Sequence, residues 1–545
     1  MKKKKLVVAG LTAAMMAASL AGCGSTGSGT ENQASKSENS AAQSSVAGSE
    51  AQGEETSKEK ARVTFMAIDW NGSPLSGEGS DEVKQAVSDY TNTIIDDDTF
   101  TWVASDVYTE KLGLTLLNKD NMPMIITVNS GVNSTIVQAA NAGAFWDLTD
   151  YLFDEEKYPN LSQANKDVSK QLTVNGQLIG VYRSRPIGRY GFGYRTDWAE
   201  KLGLDEPKTM EDLYNMAYAF TYNDPDGNGV DDTYGFNWTK DTIPLDILQA
   251  QFGCGNQWVE KDGQMVPSHQ TDEYMEALNW LKKMYDDGLV YEDWAVREGS
   301  TQSDLVKNGQ CGMMAKELDD VRRVDDYFVS NEIPSVTGEG IAHMTLMGAI
   351  SKNAGDDKTI LATSGMNGFF AITKAAKTEE DLENCLHFLD KMNDVEMIMY
   401  SDWGVEGITY KINDDNSIES TTNGMDLSTL PQNGLNQLVA YIPAAPTDEI
   451  LGHPIIISDS KKLENQIKED NVQYAIFNPA AAYLNNSETY SMNGANMDQI
   501  LKQARTQYIC GEIDEIGLQS KFTEWENAGG TKVIAEVNEQ YAADK

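Results

Sequence analysis

The sequence predicts an α/β protein built in layers. Two observations carry this. Short apolar runs of strand length recur along the chain, as in "VTFMAIDW" (residues 63–70), "MPMIITVNS" (122–130) and "CGMMAK" (311–316). Between them lie stretches with helical spacing, as in "DEYMEALNWLKKMYDDG" (272–288) and "KTEEDLENCLHFLDKMND" (377–394). Strands alternating with amphipathic helices give α/β layers.

Met1 is followed by Lys2 to Lys5 and then by the apolar run "LVVAGLTAAMMAASL" (6–20). A basic start and a short apolar run make an export signal; the run falls short of the ~20 strongly apolar residues of a spanning helix. It ends in "LAGC" (20–23), which resembles a bacterial lipoprotein box with Cys23 as the lipidated first residue of the mature chain. Acyl chains on Cys23 would hold the protein at a membrane surface without crossing it. Residues 1–22 are thus read as a lipoprotein signal peptide. Residues 23–61 are rich in Gly, Ser, Gln and Glu, too polar to bury a core, and read as a disordered tether.

The folded remainder is long enough for two or three domains. The chain carries 84 acidic against 43 basic residues, a formal net charge of −41. That argues against nucleic acid and anionic lipid as ligands and favours small neutral or cationic partners, or simply high solubility. Cys254, Cys311, Cys385 and Cys510 lie far apart without metal-ligand spacing. Cys385 falls on the apolar stripe Leu382, Leu386, Leu389, Met392 of a helix capped by Thr378 with Asp381 three residues on, so a buried free thiol is expected there. The helix around Leu278, Leu281 and Met284 is expected to stop at Gly288.

Catalytic signatures are missing. There is no GxSxG elbow, no HExxH and no phosphate loop, and His269, His343, His387 and His453 are isolated. A glycosidase-type carboxylate pair cannot be picked out among so many acids. The expectation is a binding protein, not an enzyme.

Four stretches occur in order: "GVYRSRPIGRYGFGYRTDWAEKLGL" (180–204), "NDPDGNGVDDTYGF" (223–236), "SDWGVEGITY" (401–410) and "GLQSKFTEWENAGGTKVIAEVNEQY" (517–541). Behind a lipoprotein box, they resemble the family 1 extracellular solute-binding lipoproteins of bacterial carbohydrate ABC transporters, over the chain from about Val63 onward. The resemblance implies a two-lobed periplasmic-binding-protein fold of type II with the ligand cleft between lobes. It places hinge crossings near Arg183–Gly191, near Gly368 and around Tyr400–Trp403. The lobes would be residues 62–186 with 367–400, and residues 187–366 with 401–545. It further implies a mono- or oligosaccharide ligand, permease subunits as partners, a monomer, and a place on the outer face of the cytoplasmic membrane. Alternatives of the same fold are a peptide, a uronate or another small anion as ligand, or a surface glycan adhesin.

A sugar offers apolar C–H faces and a rim of hydroxyls, so aromatic rings beside planar polar groups are the side chains to look for. Trp70 in "AIDWNG", Trp146 in "GAFWDL", Tyr190 in "GRYGFG", Trp238 after the Asp-rich loop and Trp403 in "DWGVEG" all sit beside loops or Gly; ordinary core packing is the alternative for each. Arg183, Arg185 and Arg189 either hold a ligand through guanidinium forks or pair with acids, Glu406 among them. Asp69 and Asn129 end strands and suit hydroxyl contacts.

In "DPDGNGVDD" (224–232), Asp224, Asp226, Asn228, the Val230 carbonyl and Asp232 follow the spacing of an EF-hand calcium loop through its ninth position. The twelfth position is Gly235, where a hand needs Glu. Structural Ca2+ is the expectation, with Asp232 binding through both oxygens. A metal-free Asx-turn loop is the alternative.

Overall fold

The computed structural model describes residues 59–118, 121–422 and 425–545. Cys23, the signal segment and the tether up to residue 58 lie outside the described residues.

The strands of the two main sheets are, in chain order, β1 (Phe65–Asp69), β2 (Phe100–Ala104), β3 (Ile125–Val128), β4 (Val181–Ser184), β5 (Tyr190–Arg195), β6 (Tyr234–Asn237), β7 (Cys311–Glu317), β8 (Met344–Met347) and β9 (Met366–Ile372). The first sheet has the order β2-β1-β3-β9-β4. β1 runs parallel to β2 and β3, whereas β9 is antiparallel to both β3 and β4. One edge of this sheet therefore carries the ends of β1, β3 and β4, with Asp69, Asn129 and Ser184. Residues of β1 and β3 are buried on both faces, which explains their unbroken apolar runs.

The second sheet has the order β8-β5-β7-β6. β7 runs parallel to β6 and antiparallel to β5, with Tyr190 opposite Glu317. Tyr190, Glu317 and the end of β6 thus share one edge, and only residues 185–189 separate it from the edge of the first sheet. Each sheet has its own apolar core. Phe65, Ile125, Phe369 and Leu386 belong to the first, and Phe192, Trp198, Phe236 and Leu281 to the second.

The helices read from the sequence form where expected. In α1 (Asp272–Asp286), Leu278, Leu281 and Met284 are buried, and Gly288 follows at φ +70°. In α2 (Glu379–Lys391), Thr378 and Asp381 close a reciprocal capping box, and Cys385 is a buried free thiol.

The hinge differs from the expectation in one strand. The first crossing, 185–189, and the second, 362–365, run side by side. The Arg185 amide donates to the Gly365 carbonyl (3.0 Å) and the Thr363 amide to the Ile187 carbonyl (3.1 Å). Gly368 follows at φ +73°, where a Cβ would meet the Val128 carbonyl; only glycine lets β9 approach β3 here. The third crossing is not at Tyr400–Trp403. Val405, Ile418, Leu435, Leu438, Val439, Ala440, Ile442 and Ile450 all pack into the first core, and Ile455 leans on it. The chain reaches the second lobe only at α3 (Asp459–Asn471), whose Leu463 and Ile467 pack with Val321 and Phe328. The boundary set at residue 400 is therefore wrong: residues 401–455 extend the first lobe. They are loop-rich, and their apolar residues keep neither helical nor strand spacing.

The C-terminal helices pack on the second lobe. Met497, Trp525, Val533 and Val537 close a small core with Trp258 and Met265. They also touch the first lobe, where Lys170 pairs with Asp544 at 2.7 Å.

Candidate functional site: the hinge-side edge of the first sheet

β1 ends at Asp69, whose Oδ1 accepts the backbone N–H groups of Asn71 (3.2 Å) and Gly72 (2.7 Å). This Asx turn presents Trp70, which is 57% exposed. The exposed indole offers a flat apolar face at this end of the sheet.

The Trp70 indole is held at its polar end. Its Nε1–H donates to Gln437 Oε1 (3.1 Å), and the same oxygen accepts Arg183 Nη2 (3.0 Å). Asn433 Nδ2 donates to the Gly72 carbonyl (2.7 Å), and Asn71 Nδ2 donates to Asn433 Oδ1 (3.0 Å). Trp70, Asn71, Asn433, Gly434, Asn436 and Gln437 enclose a hollow of about 220 Å³. Aromatic face and amides together are what a sugar ring requires. Sequence reasoning missed Asn433, Asn436 and Gln437. The amide-dense stretch "PQNGLNQ" (431–437) was the available signal.

The wall continues along the hinge. Tyr441 Oη donates to Asp402 Oδ1 (2.7 Å). Arg183 is 2% exposed, and burial holds its guanidinium down to about 10, with Arg185 beside it pushing the same way. Arg189 is satisfied: its Nε and Nη2 each donate to Asp319 at 2.8 Å. Burial works against the Asp319 charge, but Arg189, Lys468 and Arg323 outweigh it and hold that carboxyl well below the usual range. Asn129 is half-buried at the same edge, with Nδ2 donating to Thr109 Oγ1 (3.3 Å).

On the second sheet, Tyr190 is half-buried at the start of β5. Lys316 Nζ lies 3.2 Å from Asp241 Oδ2, and these two line a hollow of about 400 Å³ with Gln302, Ser303, Lys307 and Arg323.

Four expected residues lie elsewhere. Trp238 is fully buried in the second core, edge-on to Trp294 at 5.6 Å. Trp146 sits at the opposite end of the first sheet: its backbone N–H donates to the Ile372 carbonyl and its indole to the Ala376 carbonyl (2.9 Å), with Lys374 Nζ 3.2 Å over the ring. Trp403 is half-buried, leans on the first core and meets Tyr410 edge-on at 6.3 Å. Glu406 is exposed on the turn that follows, bridged to Tyr410, and pairs with none of the three arginines.

The Asp-rich loop precedes β6, at the end of the second sheet remote from the hinge. Asn228 Nδ2 donates to Asp226 Oδ2 (2.8 Å) and to Asp232 Oδ1 (3.2 Å), and the Gly229 amide donates to Asp224 Oδ2 (3.2 Å). Asp224 Oδ1 is buried without a partner, and Val230 is exposed. Burial, then the nearby carboxylates of Asp224 and Asp232, holds the Asp226 carboxyl above its usual range, against the pull of the Asn228 amide. Among the described residues no three His, Cys, Asp or Glu side chains converge as a metal cage.

Residues 76–359 match the family described as bacterial extracellular solute-binding protein. Lipoprotein LipO of Bacillus subtilis is 34% identical over 483 residues, covering 87% of this chain and 91% of LipO. The polygalacturonan/rhamnogalacturonan-binding protein YtcQ of the same organism is 29% identical over 492 residues, covering 89% and 92%. The fold matches that of the ABC-transporter substrate-binding protein FusA of Streptococcus pneumoniae in complex with kestose, with a TM-score of 0.62 at 20% identity over 89% of this chain and 100% of FusA. With the type II strand order of its first sheet and a hinge crossed three times, the chain belongs to the bacterial extracellular solute-binding protein family.

Proposed function

We propose that the chain captures an oligosaccharide at the edge of the first lobe, closes its two lobes over it, and delivers it to an ABC importer. The observation that carries this is Trp70, exposed beside a hollow lined by four amide side chains where the two sheets meet the hinge. The names of YtcQ and FusA point to carbohydrate as the solute class. Closure would be driven by contacts that the ligand makes to both lobes only when they are shut. A calorimetric titration against a panel of oligosaccharides tests it. Saturable binding of at least one member is the expected result; a panel without a binder refutes the reading.

We further propose that Cys23 carries a lipid that anchors the chain on the outer face of the cytoplasmic membrane. "LAGC" after a basic and apolar leader supports it, as does the lipoprotein relative. Among the described residues no helix is long and apolar enough to cross a membrane. Cys23→Ala should move the protein from the membrane fraction to the soluble one; retention after a high-salt wash would rule the anchor out.

For the Asp-rich loop we propose calcium, held by Asp224, Asp226, Asn228, Asp232 and the Val230 carbonyl. Supporting it are the unpartnered Asp224 Oδ1 and the gathering of Asp226 and Asp232 on one Asn228 amide, whose positive hydrogens stand where a cation would relieve the same repulsion. Against it stands the lack of a converged three-acid cage. All-oxygen donors suit Ca2+ over Zn2+. Added calcium should raise the melting temperature and chelator should lower it. Asp226→Ala should erase both effects and leave sugar affinity unchanged, since the loop is remote from the hinge. A melting temperature indifferent to calcium and chelator ends the proposal.

A further inference from the structure

Three arginines follow one another at the first crossing, and the fold treats them differently. Arg189 is neutralised by Asp319 through two parallel bonds. Arg183 and Arg185 have no carboxylate within ion-pair distance among the described residues, in a chain with 84 acidic side chains. Arg183 is buried over the Phe370 ring (5.6 Å), reaches Gln437 with Nη2 and leaves its Nε–H without a partner. Arg185 is half-buried and donates Nη1 to the Ser184 carbonyl (2.8 Å); its other guanidinium nitrogens make no hydrogen bond among the described residues. The acid on this wall, Asp402, is engaged instead by the hydroxyls of Tyr441 and Ser401.

Removing a cation from water without an anion beside it is costly, and two such cations two residues apart add mutual repulsion. Arg183 and Arg185 carry this cost side by side at the hinge end of the first sheet. We infer that Arg185, with Arg183 behind it, seats a carboxylate of the ligand, so that the captured oligosaccharide is built on uronic acid units and not on neutral sugars. Arg185 is the group within reach of a ligand. Arg183 acts as a positioning residue: it holds Gln437, which in turn holds Trp70, and it adds positive potential. A uronic acid unit offers a ring face for an indole such as Trp70 and a carboxylate for a guanidinium fork. Elsewhere the acidic surface repels such a ligand, which confines it to this seat.

The inference rests on the oligosaccharide-capture reading, and one experiment separates their failures. The full chain is titrated calorimetrically with trigalacturonate, with its fully methyl-esterified form, and with neutral kestose. The acid should bind at least tenfold more tightly than the ester. Arg185→Gln should weaken the acid by about 10- to 100-fold, the loss of a charge-assisted hydrogen bond, and so shrink the preference for acid over ester. Equal affinity for acid and ester, or an Arg185→Gln variant that binds the acid like the parent, overturns the carboxylate seat. Binding of kestose alone overturns the seat and leaves oligosaccharide capture standing; binding of none removes both. Should Arg185→Gln fail to fold, the acid-against-ester comparison on the parent chain decides by itself.

Discussion

Asp197→Ala should cost the second lobe about 3–5 kcal/mol of stability, the range for leaving one member of a buried ion pair behind. The cause is Arg195, the last residue of β5. Its Nε and Nη2 each donate to Asp197 at 2.8 Å, and the pair has only 5% and 4% of its side-chain surface exposed. The guanidinium lies between Trp198 (5.0 Å) and Phe328 (4.9 Å), so it cannot turn to water. Asp197 Oδ2 also accepts the Val336 amide (3.1 Å), which ties the loop before β8 to β5. Alanine would strand both donors. The double variant Asp197→Ala, Arg195→Met should recover part of the loss, because it removes the buried charge together with its partner. Chemical denaturation measures both. A single variant within about 1 kcal/mol of the parent, or a double variant no better than the single, would show that solvent reaches Arg195 after all.

What the sequence disclosed follows distance along the chain. The capping box at Thr378, the stop at Gly288 and the buried Cys385 depend on neighbours within one helix, so local spacing reveals them. The crossing at 185–189 was legible through the family resemblance of "GVYRSRPIGRYGFGYRTDWAEKLGL" (180–204). The third crossing was not: residues 401–455 are held to the first core by scattered side chains such as Val405 and Ile450, without a period to read. The candidate wall was half legible. Asp69, Trp70 and Asn129 could be named from strand ends, but Gln437 stands 367 residues from Trp70, and no window of sequence joins them. The aromatic residues mislead for the same reason. Trp146 and Trp238 flank loops as Trp70 does, yet Trp238 ends inside the second core and Trp146 at the far end of the first sheet, facts set by packing and not by neighbours. Of the three arginines, only geometry could tell that Arg189 has its acid and that Arg183 and Arg185 do not.

Trp70→Ala should weaken oligosaccharide binding by about 2–4 kcal/mol, the loss expected when a Trp anchor at a binding centre is truncated. A sugar face covering roughly 100 Å² of the indole contributes about 2.5 kcal/mol from apolar area alone. The remainder comes from the wall behind it. Gln437 would lose one of its two donors and keep Arg183, so the amide would be less firmly aimed but still held. Folding should be almost untouched, within about 0.5 kcal/mol, because Trp70 is 57% exposed and belongs to the turn that Asp69 fixes through its carboxylate. Trp146→Ala is the matching control. Its ring is capped by Lys374 at the opposite end of the sheet, so its removal should leave affinity where it was. The pair of variants separates a ligand platform from aromatic residues that merely adjoin loops. If Trp70→Ala binds as the parent does, or if Trp146→Ala loses as much affinity as Trp70→Ala, the ligand does not lie on the hinge-side edge of the first sheet.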